Sequence, residues 1–170
     1  MLERFSDCII SLDELDVQLK MKARSIAESD WKLLDDAIMR FAISMNSEES
    51  AKIASCITEI HSVLDRLEGC YGRHPRILET RAGFTKNPNQ RITLYREILD
   101  QDCETSLRPS VLQEVLPLLI EAPYECVTPE SRDRVELYLG ELKTFSEQAD
   151  DSLVAEIYCD LEASYRARTC

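Results

Sequence analysis

The chain of 170 residues has little glycine, proline or aromatic side chain, with 4 glycines, 6 prolines and 6% aromatic residues. An all-β fold needs a tight turn after each short strand, so this shortage of turn-forming residues excludes it. Long hydrophobic runs are also missing. The longest, residues 111–120, is interrupted by Gln113, Glu114 and Pro117 and falls short of the roughly 20 apolar residues that span a bilayer. We therefore expect neither a β protein nor a membrane-spanning one.

Basic side chains are scarce: 20 lysines and arginines stand against 32 acidic residues, giving a net charge of −12. An acidic surface repels phosphate groups, so the sequence predicts no nucleic-acid partner and no anionic membrane partner. The negative electrostatic field of such a surface attracts a basic protein. The charge balance therefore favours another protein, of basic character, as the partner.

The cysteines never form a C-x-x-C pair, and their number is odd. Most lie at apolar positions of predicted helices, where a free thiol behaves as a small hydrophobic group. This pattern indicates a reducing compartment rather than a disulfide framework. The N-terminal stretch lacks the basic segment and apolar core of a signal peptide, so we expect a cytoplasmic protein. The seven cysteines are Cys8, Cys56, Cys70, Cys103, Cys126, Cys159 and Cys170.

The motifs of common catalytic and metal sites are absent from the sequence. There is no H-E-x-x-H, no Glu-x-x-His, no G-x-S-x-G and no glycine-rich phosphate loop. Cys56 and His61 are five residues apart and face different sides of one predicted helix. Cys70 and His74 are separated by Gly72, which breaks the helix that would align them. The sequence therefore predicts no catalytic residue, no metal ligand and no cofactor.

Helical periodicity is what the sequence does contain. Signals for about eight helices follow one another, and no segment alternates as a strand would. A capping box at Ser11 and Glu14 predicts a helix over residues 11–26, paired with a helix over residues 29–45. The second of these has the clearest apolar stripe, formed by Trp31, Leu34, Ile38, Phe41 and Met45. We predict an all-α protein of antiparallel helical hairpins, either a regular array or an irregular bundle.

The remaining helices follow from the same stripes and from cap and proline signals. A helix with Ile53, Ile57, Ile60, Leu64 and Leu67 is predicted to end near Gly72, and others are predicted over residues 75–86, 88–101 and 110–121. The helix over 110–121 is apolar on most sides, which predicts a central position. Two more helices begin at Pro129 and around residues 150–152. We predict one helical domain over 1–170, with a natural division into halves 11–72 and 75–167.

Two stretches resemble the tetratricopeptide repeat. The second helix of the pair around Asn87 carries Leu94-Tyr95 and Ile98-Leu99, and Ala82 lies where the first helix of such a repeat has a small residue. Leu139-Gly140, Phe145 and residues 153–165 form a second, looser match. The resemblance implies a helical scaffold with a protein-binding face, and it implies no chemistry.

Acidic charge is concentrated at the C-terminal end. Residues 109–170 contain 13 acidic and 5 basic side chains, whereas residues 73–108 contain 5 acidic and 7 basic ones. The acidic side chains are either a solvated outer face or a docking surface for a basic protein. The residues predicted for such a surface are Glu130, Asp133, Glu136, Glu141, Glu147, Asp151, Glu156 and Asp160. The arginines Arg73, Arg76, Arg81, Arg91 and Arg96 either meet a partner or a second copy, or form intramolecular pairs.

Three functional hypotheses follow. The first is a non-enzymatic interaction module, an acidic inhibitor or immunity-type protein or an adaptor; a secretion chaperone or scaffold fits the same features, and a homo-oligomer is compatible with them. The second is a helical enzyme or small-ligand binder, whose sign would be a deep pocket with convergent polar groups such as His61, His74 or Tyr95. The third is a structural domain of a longer chain, against which the start at Met1 and the polar end argue.

Overall fold

The computed structural model describes residues 25–46, 49–101, 103–122, 129–149 and 152–169. Over these residues the chain forms seven α-helices and no strand. The all-α prediction is therefore confirmed. Of the helix predicted over residues 11–26, residues 11–24 lie outside the described residues, and the last two, Ser25 and Ile26, are not helical. The helices are α1 Glu28–Met45, α2 Ser50–Tyr71, α3 Pro75–Gly83, α4 Pro88–Leu99, α5 Leu107–Ile120, α6 Pro129–Ala149 and α7 Ser152–Thr169.

The chain divides into two compact units between His74 and Pro75. The sequence explains why the helix stops just before this point. Gly72 follows α2 with a φ of 70°, in the left-handed region that glycine adopts without a steric penalty. Its N–H donates to the carbonyl of Glu68 at 2.8 Å, and Pro75 then begins α3. No described helix combines the length and the apolar content needed to cross a bilayer.

In the first unit, α1 packs against α2 as an antiparallel hairpin. Two ion pairs agree with the antiparallel direction of the helices. Asp30, near the start of α1, pairs with Arg66 late in α2, and Arg40, later in α1, pairs with Glu59, which is earlier in α2. The buried side chains are Leu34 and Ala37 from α1 and Ile60, Leu64 and Leu67 from α2. The predicted α2 stripe is confirmed in its second half, where these three residues are fully buried.

The predicted stripe of α1 is only partly correct. Met45 is 56% exposed, whereas Ala37 and Ser44, which lie outside the predicted stripe, are buried. The buried positions of α1 are therefore Leu34, Ala37 and Ser44, and two of these three have short side chains. The aromatic and aliphatic members Trp31, Ile38 and Phe41 are half-buried.

In the second unit, each helix from α3 to α7 packs against the next, and α5 also packs against α7. The prediction of a central α5 is confirmed, because this helix contributes seven buried residues: Leu107, Val111, Leu112, Val115, Leu116, Leu119 and Ile120. Pro117 lies within α5 and does not end it. The helix begins at Leu107, earlier than the predicted residue 110.

The turn between α3 and α4 is built by Asn87 and Pro88. The Asn87 side-chain oxygen accepts hydrogen bonds from the backbone N–H groups of Asn89 at 2.9 Å and Gln90 at 3.4 Å. Pro88 occupies the first helical turn, where no N–H is needed. The predicted cap is thus confirmed, although α3 ends at Gly83 instead of residue 86.

The last hairpin differs between its two helices. The described part of α6 buries Val135, Tyr138, Leu139 and Leu142, whereas no described residue of α7 is fully buried. Instead α7 packs partly exposed side chains against the core of the unit, namely Val154, Tyr158, Leu161 and Tyr165. This helix therefore rests on the surface formed by α5 and α6.

Candidate functional site: the acidic surface of the last two helices

Most of the acidic residues predicted on α6 point into solvent. Glu130 and Glu147 have side chains that are 86% and 66% exposed, each beside a basic residue one turn away, with nitrogen–oxygen distances of 4.0 and 3.9 Å. Asp133 is exposed and forms no ion pair within the described part of the chain. These three carboxylates lie on the side of α6 away from its buried residues, because the core of the unit takes the opposite side.

Glu141 is only 26% exposed and forms an intramolecular contact. Its two oxygens accept hydrogen bonds from Arg108 Nε at 2.8 Å and from Arg108 Nη2 at 3.1 Å. The remaining nitrogen, Nη1, donates to the carbonyl of Leu99 at 2.9 Å. The hydrogen bond to Glu141 is the main reason why the pKa of Arg108 is raised. Glu141 therefore joins α6 to α5 and, through Arg108, to the last turn of α4.

Glu136 is exposed but also has an intramolecular partner. The Tyr165 hydroxyl of α7 donates to Glu136 Oε1 at 3.2 Å. The pKa of Tyr165 is raised, mainly by partial burial of the phenol and to a smaller extent by this hydrogen bond. The second carboxylate oxygen of Glu136 has no hydrogen bond among the described residues, so Glu136 links the two helices and still presents charge to solvent.

On α7, Glu156 and Asp160 are exposed, and neither has an ion pair within residues 152–169 or elsewhere in the described chain. Asp151 lies outside the described residues. The structure thus leaves Glu130, Asp133, Glu136, Glu147, Glu156 and Asp160 on the surface of the last hairpin and places Glu141 in a helix–helix contact. We call these six exposed residues the acidic surface.

The arginines of the preceding segment are largely paired within the chain. Arg73 meets Glu68 at 2.5 Å in the first unit. In the second unit, Arg76 meets Glu104 at 2.6 Å and Arg91 meets Glu114 at 3.1 Å. Of the two interpretations left open by the sequence, these three arginines follow the intramolecular one. In the second unit, Arg76 and Arg91 therefore hold neighbouring segments together.

Two large apolar side chains of the second unit are exposed among its described residues: Leu137 on α6, 60% exposed, and Leu153 on α7, 62% exposed. Leu137 follows Asp133 by one helical turn and precedes Gly140 by another. A Cβ added at Gly140 would meet no heavy atom within 4 Å. Leu137 is not among the residues predicted from the sequence, although its position opposite the apolar stripe of α6 indicates exposure.

A small cavity of about 40 Å³ lies between the end of α5, the start of α6 and the end of α7. Arg132, Tyr165 and Arg168 contribute polar groups to its wall, and Arg168 Nη1 donates to the carbonyl of Ile120. Ligand pockets usually have volumes of about 300 Å³ or more, so this cavity has room for water rather than for a substrate.

The polar residues expected to converge in a ligand pocket do not line this cavity. Tyr95 is 2% exposed and belongs to the core of the second unit, where burial raises its pKa. His61 is half-buried on α2 in the first unit. Among the described residues, no group of three or more histidine, cysteine or acidic side chains could hold a metal ion. The four described cysteines, Cys56, Cys70, Cys103 and Cys159, are free.

Comparisons of the chain with protein-family models, with curated proteins and with solved structures gave no match. The resemblance to tetratricopeptide repeats therefore stays a prediction.

Proposed function

We propose that the protein is a non-enzymatic interaction module of the cytoplasm, an acidic inhibitor or immunity-type protein or an adaptor, which binds a basic protein through the acidic surface. The observation that supports this is the contrast in charge pairing within the second unit. Arg91 and Arg108 are paired with carboxylates on the next helix, and Arg76 is paired with Glu104 in the connection before α5. Asp133 and Asp160, in contrast, are exposed without an ion pair in the described chain.

Such a surface suits recognition of a basic partner for a physical reason. Exposed carboxylates on helices produce a negative potential that raises the association rate of a positively charged protein and selects against acidic competitors. The pairing of the arginines strengthens this effect, because their charge is offset by nearby carboxylates. A secretion chaperone or scaffold would use the same surface. Identification of the partner distinguishes an inhibitor, an adaptor, a chaperone and a scaffold from one another.

The packing order of the second unit supports the scaffold component of this proposal. Successive helices contact each other, and α5 also contacts α7, the helix two places further on. This is the order expected of a helical-hairpin array, in which each hairpin contacts its neighbours and an extended face is left for a partner.

The first experiment is copurification of the tagged full-length protein from its source, followed by identification of the retained basic protein. The association rate of the purified pair is then measured at several salt concentrations. The double variant Asp133→Lys with Asp160→Lys should lower the association rate about tenfold at low salt and flatten its salt dependence, because electrostatic steering weakens.

The matched control reverses two exposed carboxylates of the first unit, Asp35→Lys with Asp36→Lys, which changes the net charge by the same amount. Neither carboxylate has an ion pair in the described chain. The control should keep the association rate within about twofold of the unmodified protein. Equal effects of both double variants, or no effect of either, would contradict the assignment of the acidic surface.

A further inference from the structure

Leu137 and Gly140 are one helical turn apart on the solvent side of α6, and both are unusual there. Leu137 is 60% exposed, although the other large apolar residues of α6 pack inward or lie half-buried. Gly140 lies well inside the helix, where glycine is less favourable than alanine. An added Cβ would enter open space, so no contact within the described chain requires glycine at this position.

The charged neighbours of these two residues are mainly acidic, because the two basic ones, Arg134 and Lys143, each lie beside a carboxylate, at 4.0 Å from Glu130 and 3.9 Å from Glu147. Asp133 precedes Leu137 by four residues, and Glu136 precedes Gly140 by four, so all four positions lie on adjoining parts of one helix face. Asp133 and Glu136 are both exposed. The face therefore has an apolar side chain and bare backbone bordered on one side by two carboxylates. Protein interfaces commonly combine an apolar contact at the centre with polar groups around it.

We propose that Leu137 and Gly140 form the apolar contact for a basic partner segment that presents an aliphatic or aromatic side chain with lysine or arginine about one helical turn away. The partner's apolar side chain packs on Leu137 and over the backbone at Gly140, while its basic groups reach Asp133 and Glu136. This inference rests on the proposed function and adds which residues make the contact and which chemistry the partner segment has.

Two synthetic helical peptides serve as probes of the full-length protein. One has a leucine stripe bordered by lysines, and the other has serine in place of every leucine. Fluorescence anisotropy of the labelled peptides gives the Kd. We expect Leu137→Ser to weaken binding of the leucine–lysine peptide at least fivefold and to leave the serine–lysine peptide unchanged. Because Leu137 is exposed, the substitution should lower the melting temperature only slightly, through the lower helix propensity of serine.

Gly140→Ala gives a second, independent readout. It should raise the melting temperature, because alanine favours the helix, and should also weaken binding of the leucine–lysine peptide, because the added methyl group occupies the space above the backbone. The matched control is Leu153→Ser, which removes an equally exposed leucine that has no glycine one turn further along. We expect that control to change the Kd less than twofold.

Unchanged Kd values for both Leu137→Ser and Gly140→Ala would overturn the proposed contact. If the charge reversal of Asp133 and Asp160 weakens both peptides while Leu137→Ser affects neither, the acidic surface stands and the apolar contact is refuted. If Leu137→Ser weakens the leucine–lysine peptide and the charge reversal affects neither peptide, the partner's basic character is refuted together with the proposed function.

Discussion

The ion pair between Arg108 and Glu141 should be the most stabilising charged contact of the second unit. It joins α5 to α6 with two hydrogen bonds, and a third bond from the same guanidinium group reaches the carbonyl of Leu99 in α4. Both side chains are about three-quarters shielded from solvent, with exposures of 27% and 26%. Three consecutive helices therefore depend on one arginine.

A hydrogen bond to a charged group contributes about 1.5–3 kcal/mol when it is shielded, and an exposed ion pair contributes well under that. Since a quarter of each side chain remains in water, we expect Glu141→Gln to lower the free energy of unfolding by about 1–2 kcal/mol. Arg108→Met also removes the bond to Leu99 and should cost about 2–3 kcal/mol. The double variant should cost less than the sum, leaving a coupling free energy of about 1–2 kcal/mol.

Urea unfolding of the two single variants and the double variant, followed by circular dichroism, measures this coupling. The pair Arg40–Glu59 in the first unit is a matched control, because it also joins two helices through two hydrogen bonds, at 3.3 and 2.6 Å. Its side chains are 52% and 45% exposed, so water screens the charges more strongly. A coupling at Arg108–Glu141 no larger than that at Arg40–Glu59 would refute the argument from burial.

Three further predictions concern single residues. Burial raises the pKa of Glu79 above its ordinary value of 4.5. The stability of the native protein, measured relative to Glu79→Gln, should therefore be greatest below pH 4.5 and should fall as the pH rises through the raised pKa. Thermal melts of both proteins between about pH 4 and 8 measure this difference. Asn87→Ala should cost about 1 kcal/mol of unfolding free energy by removing the cap of α4, while Asn89→Ala in the same turn should cost less than about 0.5 kcal/mol. Gly72→Ala should lower the free energy of unfolding by about 1–2 kcal/mol because of the positive φ at this residue. Gly69→Ala, with open space at its Cβ inside α2, should raise it by about 0.5–1 kcal/mol, and the same sign for both substitutions would contradict the backbone argument.

Helix positions were predictable where local signals were strong. Asn87-Pro88 and Gly72 marked their helix boundaries because capping and left-handed backbone depend on neighbouring residues only. The direction of the buried face of α1 was less predictable. The large residues suggested a stripe that includes Met45, but Ala37 and Ser44 are buried instead, and a pattern of large apolar side chains does not mark such short residues.

The acidic surface was predictable as a region and less so residue by residue. Composition placed the excess charge on the last two helices, and exposure of Asp133 and Asp160 agrees with it. The structural role of Glu141 could not be foreseen, because Arg108 is 33 residues away in sequence and the pair depends on how α5 packs against α6. A charge pattern in the sequence predicts which residues share one helix face. To predict an ion pair between two helices, the relative position of the helices must also be known.

The shallow packing of α7 has a consequence for how a partner would be held. Its backbone amides should open to solvent at a lower free energy than those of α5, whose seven buried residues anchor it, so hydrogen exchange should be fast in α7 and slow in α5. A partner that engages only Asp133 and Leu137 meets a helix anchored in the core. One that also reaches Glu156 and Asp160 would suppress local opening of α7, and that protection would appear as slower exchange along the whole helix.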